Sequence, residues 1–239
     1  MGATSTPRAR KPAHAQAFTR KLLAWWARAA RDLPWRRTRD PYRVLVSEFM
    51  LQQTQVSRVA EYYPRFLERF PDLETLARAR PRAVREAWDG LGYYARASNL
   101  HALAKQVSGA GGEVPNDPEE LVKLPGVGRY TAGAVATFAY EKAVPAVDTN
   151  VARVLRRVFL GINGKRKTDD GRLWALATAL VPKTGKRAWK FNQAIMELGA
   201  LICVARKPRC PECPVRPVCR TGKNRRTDAA GENRLSKNR

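Results

Sequence analysis

Several features are scarce in this chain of 239 residues, and each scarcity excludes something. No apolar run approaches the roughly 20 residues that span a bilayer, and the N-terminal stretch MGATSTPRARKPAHAQ has no apolar segment suited to a secretory leader. A soluble, cytoplasmic protein without a membrane partner is expected. Alternation of apolar and polar residues never persists beyond a few positions, which argues against sheet folds, and no solenoid-type repeat is present. Only four cysteines and two histidines occur, and all the cysteines fall between positions 203 and 219. A disulfide framework would scatter them through the chain. Acidic residues are few, 21 against 45 Lys and Arg, so the formal net charge is +24. Such an excess suits a polyanionic partner, with nucleic acid the first candidate. Hydrophobic residues make up 44% of the chain, enough for a core and one or two domains.

The apolar spacing predicts an all-α protein. Phe18, Leu22, Trp25, Trp26 and Ala29 form one face of a helix over 18–31. Asp40 followed by Pro41 starts a helix expected to run to about 62, and Asp72, Pro81 and Asp117 mark further helix starts. A small, apolar and therefore buried helix is expected over 131–140, with amphipathic helices over 151–159 and 173–180. Gly-rich breaks lie at 108–115 and 161–171, the second strongly basic. Residues 1–16 and 222–239 read as flexible basic arms.

The cysteines Cys203, Cys210, Cys213 and Cys219 are spaced C-x6-C-x2-C-x5-C. Thiols so close in sequence suit a metal site, either zinc or an iron–sulfur cluster. Zinc sites usually pair two C-x2-C units, of which there is one here, whereas a cubane takes one thiolate per iron and tolerates unequal gaps. Prolines 208, 211, 214 and 217 keep the segment out of α-helix. A structural knot is expected, ringed by Arg206, Lys207, Arg209 and Arg216, which could present charge to phosphates.

Leu124-Pro125-Gly126-Val127-Gly128-Arg129 reads as a tight turn between helices, with backbone N–H groups backed by a helix N-terminus. That geometry holds phosphate without reading sequence, although a plain helix–turn–helix connection has the same signature. Glu48 lies in the apolar helical segment VLVSEFMLQQTQV, where loss of water should raise its pKa. Asp148 precedes a helix, and its local sequence alone reads as an ordinary N-cap. A proton-holding Glu and an ionised Asp in a polar setting form the pair that glycosidic cleavage needs.

The stretches PGVGRYTAGAV, VDTNVARVL and the cysteine spacing resemble the helix-hairpin-helix DNA glycosylases of the endonuclease III superfamily. LPWR (33–36), SEFMLQQTQV (47–56), GLGYYARA (90–97) and FNQAIMELGALIC (191–203) look like the MutY-type adenine DNA glycosylases, and the resemblance covers about residues 20–220. It implies a six-helix barrel module with the helix-hairpin-helix (39–147), a [4Fe–4S] cluster module (148–221) and an N-terminal helix region (17–38) packing with the latter. Double-stranded DNA with a mismatch or lesion would be gripped by a monomer, and the target nucleotide flipped out of the stack.

By the same resemblance, Glu48 protonates adenine N7 and Asp148 stabilises or traps the C1′ cation, oriented by Asn150. Tyr130 stands where bifunctional members place a lysine, which implies hydrolysis without a Schiff base. Gln52, Gln53, Thr54, Leu91 and Tyr93 match duplex contacts, Gln53 and Tyr93 as wedges and Thr54 and Leu91 on the opposite base. The less favoured reading makes Tyr93 and Tyr94 core residues. Gly126, Val127, Gly128 and Arg129 match the phosphate-binding hairpin, and Trp35, Arg36 and Glu197 the base pocket.

Two departures stand out. Thr149 occupies a position where most MutY-type members have Gly, and the chain stops at Arg239 where they continue into a domain that reads 8-oxoguanine. Recognition of the opposite base then rests on Thr54, Leu91 and their neighbours. The rival expectations are a thymine/uracil mismatch glycosylase of the same superfamily and a non-catalytic DNA-binding module.

Overall fold

A computed structural model describes residues 12–162 and 170–223. Eleven α-helices and no strands occur among the described residues, in line with the all-α expectation. No helix among them is long and apolar enough to cross a membrane. The chain divides into two compact units. A central unit comprises Arg31–Ala146 and Pro182–Trp189, and a terminal unit Met1–Ala30, Val147–Val181 and Lys190–Arg239.

The central unit begins with a 3-10 turn, Pro34–Arg36, followed by α2 (Pro41–Leu51), α3 (Val56–Arg69), α4 (Leu73–Arg78), α5 (Pro81–Ala87), α6 (Ala95–Gly109), α7 (Pro118–Leu121) and α8 (Arg129–Phe138). Its helix starts follow the local sequence. Asp40 accepts from Tyr42 N (2.9 Å) and Arg43 N (3.3 Å), Asp72 from Thr75 N (2.7 Å), and Asp117 from Glu119 N (2.9 Å). Each satisfies amide donors that the first turn of a helix leaves over. Helix α2 is buried from Val44 through Met50 and packs on α3, α6 and α8, so it forms the axis of this unit. Phe66 meets Trp88 edge-on, with centroids 5.7 Å apart, and both are fully buried.

The helix expected from Asp40 to about residue 62 is broken in two. It stops at Leu51, Gln53 takes a left-handed φ of 58°, and α3 starts at Val56. The physical cause lies 46 and 47 residues further along the chain. Arg96 Nη1 donates to the carbonyls of Phe49 (3.0 Å) and Met50 (2.8 Å), which a continuing helix would have used itself.

The terminal unit contains α1 (Ala15–Ala29), α9 (Thr149–Leu155), α10 (Asp170–Leu180) and the later part of α11 (Gly185–Leu201), whose first residues belong to the central unit. Phe18 is fully buried against Phe159 (5.0 Å) and Phe191 (6.3 Å), both edge-on. Helix α1 takes in Ala15 and Gln16, which the sequence assigned to the N-terminal arm, and ends before Arg31. The helix expected over 151–159 stops at Leu155 and widens into a π-helical turn, Arg156–Leu160, closed by Gly161 at φ 67°. Residues 1–11, most of the basic break (163–169) and 224–239 lie outside the described residues.

Candidate active site

Glu48 sits near the C-terminal end of α2, one turn beyond Val44 and Leu45, and is only 5% exposed. Its neighbours along the helix from Val44 to Met50 are all buried, which gives the carboxyl group little access to water.

Asp148 is the N-cap of α9, as its local sequence suggests. Its Oδ1 accepts from Val151 N at 2.6 Å and its Oδ2 from Asn150 Nδ2 at 2.9 Å. The polar contacts expected for this carboxyl are present, but they do not set its net titration. Burial pushes its pKa above the usual value of 3.8, outweighing the hydrogen bonds from Val151 and Asn150 and the charge of Arg153, all of which pull it down. Asn150 is itself held. Arg153 Nη2 donates to Asn150 Oδ1 at 2.6 Å and to Gly199 O at 2.8 Å, while its Nε donates to Cys203 O at 2.7 Å. Gly199 is required at this contact, because a Cβ there would lie 2.7 Å from Asn150 Cβ.

The hairpin between α7 and α8 turns at Gly126, where φ is 74° and a Cβ would come within 2.7 Å of Asn99 Cβ and 2.8 Å of Phe49 Cε1. Val127 is buried and its N–H closes the turn on Leu124 O at 3.1 Å, so this amide faces inward rather than toward a ligand. Gly128 and Arg129 are exposed at the start of α8, and Tyr130 is half-buried one residue into it.

Among the expected duplex contacts, Gln53 is exposed, Gln52 and Thr54 are half-buried, and Leu91 is buried. Tyr93 is 61% exposed and carries a left-handed φ of 47°, so it is not a core residue. Its neighbour Tyr94 is half-buried, with its hydroxyl on Asp89. Trp35 is buried edge-on to Tyr63 at 5.6 Å, and Arg36 Nη1 donates to Arg31 O at 2.9 Å, both in the central unit. Glu197 is fully buried in α11, within the terminal unit.

The four cysteines line a single cavity of the terminal unit, together with Arg157, Leu198, Ile202, Val215 and Gly222. None is in a disulfide. Pro211 and Pro217 open the 3-10 turns Cys210–Glu212 and Arg216–Val218, which bend the segment around that cavity. Among the described residues no three His, Cys, Asp or Glu side chains converge as ligands of one ion; the sulfurs stand around a space instead. Burial pushes the Cys213 thiol up to about 12, and the nearby charges of Cys203, Cys219 and Cys210 push the same way. Burial also raises the Cys219 thiol. Four thiolates so placed repel one another unless a cationic group joins them, and that fits a cluster. Arg157 Nη1 lies 3.5 Å from Cys203 Sγ, and Gly222 N donates to Cys219 Sγ at 3.2 Å.

Arg96, Arg153 and Arg157 are the site residues that sequence reasoning missed. The first two stand inside the stretches GLGYYARA and VDTNVARVL, but with 45 Lys and Arg in the chain no spacing rule separates a buried arginine from a solvated one.

The family described as HhH-GPD superfamily base excision DNA repair protein matches residues 46–174. The chain is 44% identical to the adenine DNA glycosylase of Rattus norvegicus, over 92% of this chain and 43% of that protein. It is 47% identical to the adenine DNA glycosylase of Mycolicibacterium smegmatis, over 82% of this chain and 66% of that one. It therefore spans about four-tenths of the length of the rat relative and about two-thirds of the mycobacterial one. Among solved structures, a thermostable thymine-DNA glycosylase superposes with a TM-score of 0.80 at 33% identity, covering 87% of this chain and 96% of that one.

Proposed function

The chain belongs to the HhH-GPD superfamily of base excision DNA repair proteins, and from that membership we propose that it is a monofunctional adenine DNA glycosylase. Its substrate is double-stranded DNA in which adenine is mispaired with guanine or 8-oxoguanine, and it works as a monomer in the cytoplasm. The similarity to two adenine DNA glycosylases, over four-fifths or more of this chain, carries this reading.

The reaction breaks the C1′–N9 bond of deoxyadenosine. Glu48, kept from water in α2, gives its proton to adenine N7, so the base leaves as a neutral molecule holding the bonding electron pair. The sugar is left as an oxocarbenium-like cation, and ionised Asp148, oriented by Asn150, stabilises C1′. Water then adds its oxygen to C1′ and releases a proton to a carboxylate. Tyr130 offers no amine at the hairpin, so no Schiff base to the sugar forms and the strand is not cut. Gln53 and Tyr93 enter the duplex beside the target, Thr54 and Leu91 meet the opposite base, Gln52 makes a further duplex contact, and the hairpin Gly126 to Arg129 binds the backbone through its exposed residues Gly126, Gly128 and Arg129. Trp35 and Arg36 in the central unit, and Glu197 in the terminal unit, are each assigned to base recognition. Cys203, Cys210, Cys213 and Cys219 would hold a [4Fe–4S] cluster, whose cationic core would offset part of the charge of four thiolates and tie the segment together.

Single-turnover excision from duplexes holding A:8-oxoguanine, A:G, T:G and U:G tests this function, with an iron count on the purified protein beside it. Adenine release from the first two supports it. Release of pyrimidines alone would establish the thymine/uracil mismatch activity instead, a reading favoured by the near-complete coverage of the thymine-DNA glycosylase.

A further inference from the structure

Two loops of the central unit carry non-glycine residues in the left-handed region, Gln53 at φ 58° and Tyr93 at φ 47°. The loops are far apart in sequence, yet one buried side chain joins them. Arg96, 7% exposed, points its guanidinium between them. On one side the two N–H groups of Nη1 are shared among acceptors within hydrogen-bond range, the carbonyls of Phe49, Met50 and Gln52 and Thr54 Oγ1 (3.0 Å), at the end of α2 and the turn that follows. On the other, Nη2 donates to Leu91 O and Gly92 O, both at 3.1 Å. Its guanidinium carbon lies 5.5 Å from the ring centroids of both Trp88 and Tyr93.

We propose that Arg96 is a positioning residue that locks the Gln53 and Tyr93 loops into one preformed wedge, so that duplex DNA meets a spacing already set. The inference rests on the glycosylase function proposed above. Charge-assisted hydrogen bonds from one planar fork fix both loops at once. Without the guanidinium, the buried carbonyls of Phe49, Met50 and Leu91 lose this donor. A lysine, with a single nitrogen on a flexible stem, reaches one loop and not both. The neighbouring residues support the same geometry. Arg58 Nε donates to Gly90 O at 2.8 Å, and Gly90 has no room for a Cβ, which would meet the Tyr62 hydroxyl at 2.2 Å.

The test compares the full chain with Arg96→Lys and Arg96→Met on two duplexes, one with adenine opposite 8-oxoguanine and one with the same adenine opposite an abasic site, where little unstacking is needed. Arg96→Lys is expected to lower excision from the first by on the order of 10- to 100-fold, the scale of a lost charge-assisted hydrogen bond, and from the second by less than about threefold. A 2-aminopurine beside the target should brighten when the wild-type protein binds and stay quenched with the variant. Equal losses on both duplexes, no loss on either, an unchanged fluorescence response, or collapse of helical circular dichroism in both variants would overturn the proposal. If wild type excises neither adenine, the glycosylase function fails, and the fluorescence comparison still decides the role of Arg96.

Discussion

Asn150 Nδ2 donates to Asp148 Oδ2 at 2.9 Å, while Asn150 Oδ1 accepts from Arg153 at 2.6 Å. The arginine thereby determines which end of the amide faces the carboxylate, because a guanidinium can only donate. The asparagine pulls the Asp148 pKa down against the opposing effect of burial.

Asn150→Ala removes that hydrogen bond, so the Asp148 carboxyl titrates at a still higher pH. In the proposed reaction the anion is the working form, so the acidic limb of the single-turnover rate profile should move to higher pH. A loss of about tenfold at neutral pH matches one hydrogen bond to a charged group. An unshifted profile would separate Asn150 from the titration of Asp148.

Glu48→Gln keeps the shape of the side chain but cannot deliver a proton. Excision should fall by roughly 10²- to 10⁴-fold, the usual contribution of a positioned acid. Duplex affinity, read by gel shift or anisotropy, should change little, since it resides mainly in phosphate contacts. Near-normal turnover would remove Glu48 from the reaction.

Tyr130→Lys places an amine one residue into α8. A Schiff base to C1′ then becomes accessible, with strand nicking as its consequence. Borohydride should trap a covalent protein–DNA complex from the variant and none from wild type. No trapped product means that position 130 lies beyond reach of the sugar.

His101 is 5% exposed in α6, and its Nε2 is buried with no hydrogen-bond partner among the described residues. Burial and then the charge of Lys105 hold its pKa below 6.5, against hydrogen bonds to the backbone of Ala77 and Ala79. The unfolded chain therefore takes up the proton first. Folding stability should drop once the pH falls below 6.5 and go on dropping until the native-state value is reached. Urea midpoints at pH 7.5 and 5.5 (about one pH unit either side of the free value) measure it. His101→Gln should flatten the difference, and an equally steep drop in the variant would assign it to other groups.

Gly126→Ala forces an L side chain into φ 74° and against Asn99 and Phe49. A cost of about 1–3 kcal/mol is expected from the backbone alone. Denaturant unfolding reads the loss, and the same variant should bind duplex DNA more weakly, because the distorted turn sits at the start of α8. Unchanged stability would mean that the turn relaxes freely.

Much of this was legible before any coordinates. The starts of α2, α4 and α7 follow from Asp40, Asp72 and Asp117, because a cap is a contact between residues two or three apart. The burial of Glu48 follows from its apolar helical neighbours in the same way. The gathering of the four cysteines around one cavity was legible too, since they are crowded into 17 positions. Periodicity could not place the break after Leu51: the polar run Gln52 to Gln55 is compatible with a helix, and the interruption comes from Arg96, in a separate helix. Nor could composition show that Asp148, a local N-cap, loses enough water for its carboxyl to be raised.

The sequence by itself determined the helical class, the caps and the crowding of four cysteines into one segment, and it pointed to the two carboxyl groups, all of which rest on residue type and short spacing. Only the tertiary structure decided which arginines are buried and what they hold, Arg96 between two loops and Arg153 between Asn150 and Cys203. The reason is physical: a guanidinium becomes structural only when distant backbone carbonyls surround it, and residues tens of positions apart meet only in the folded chain.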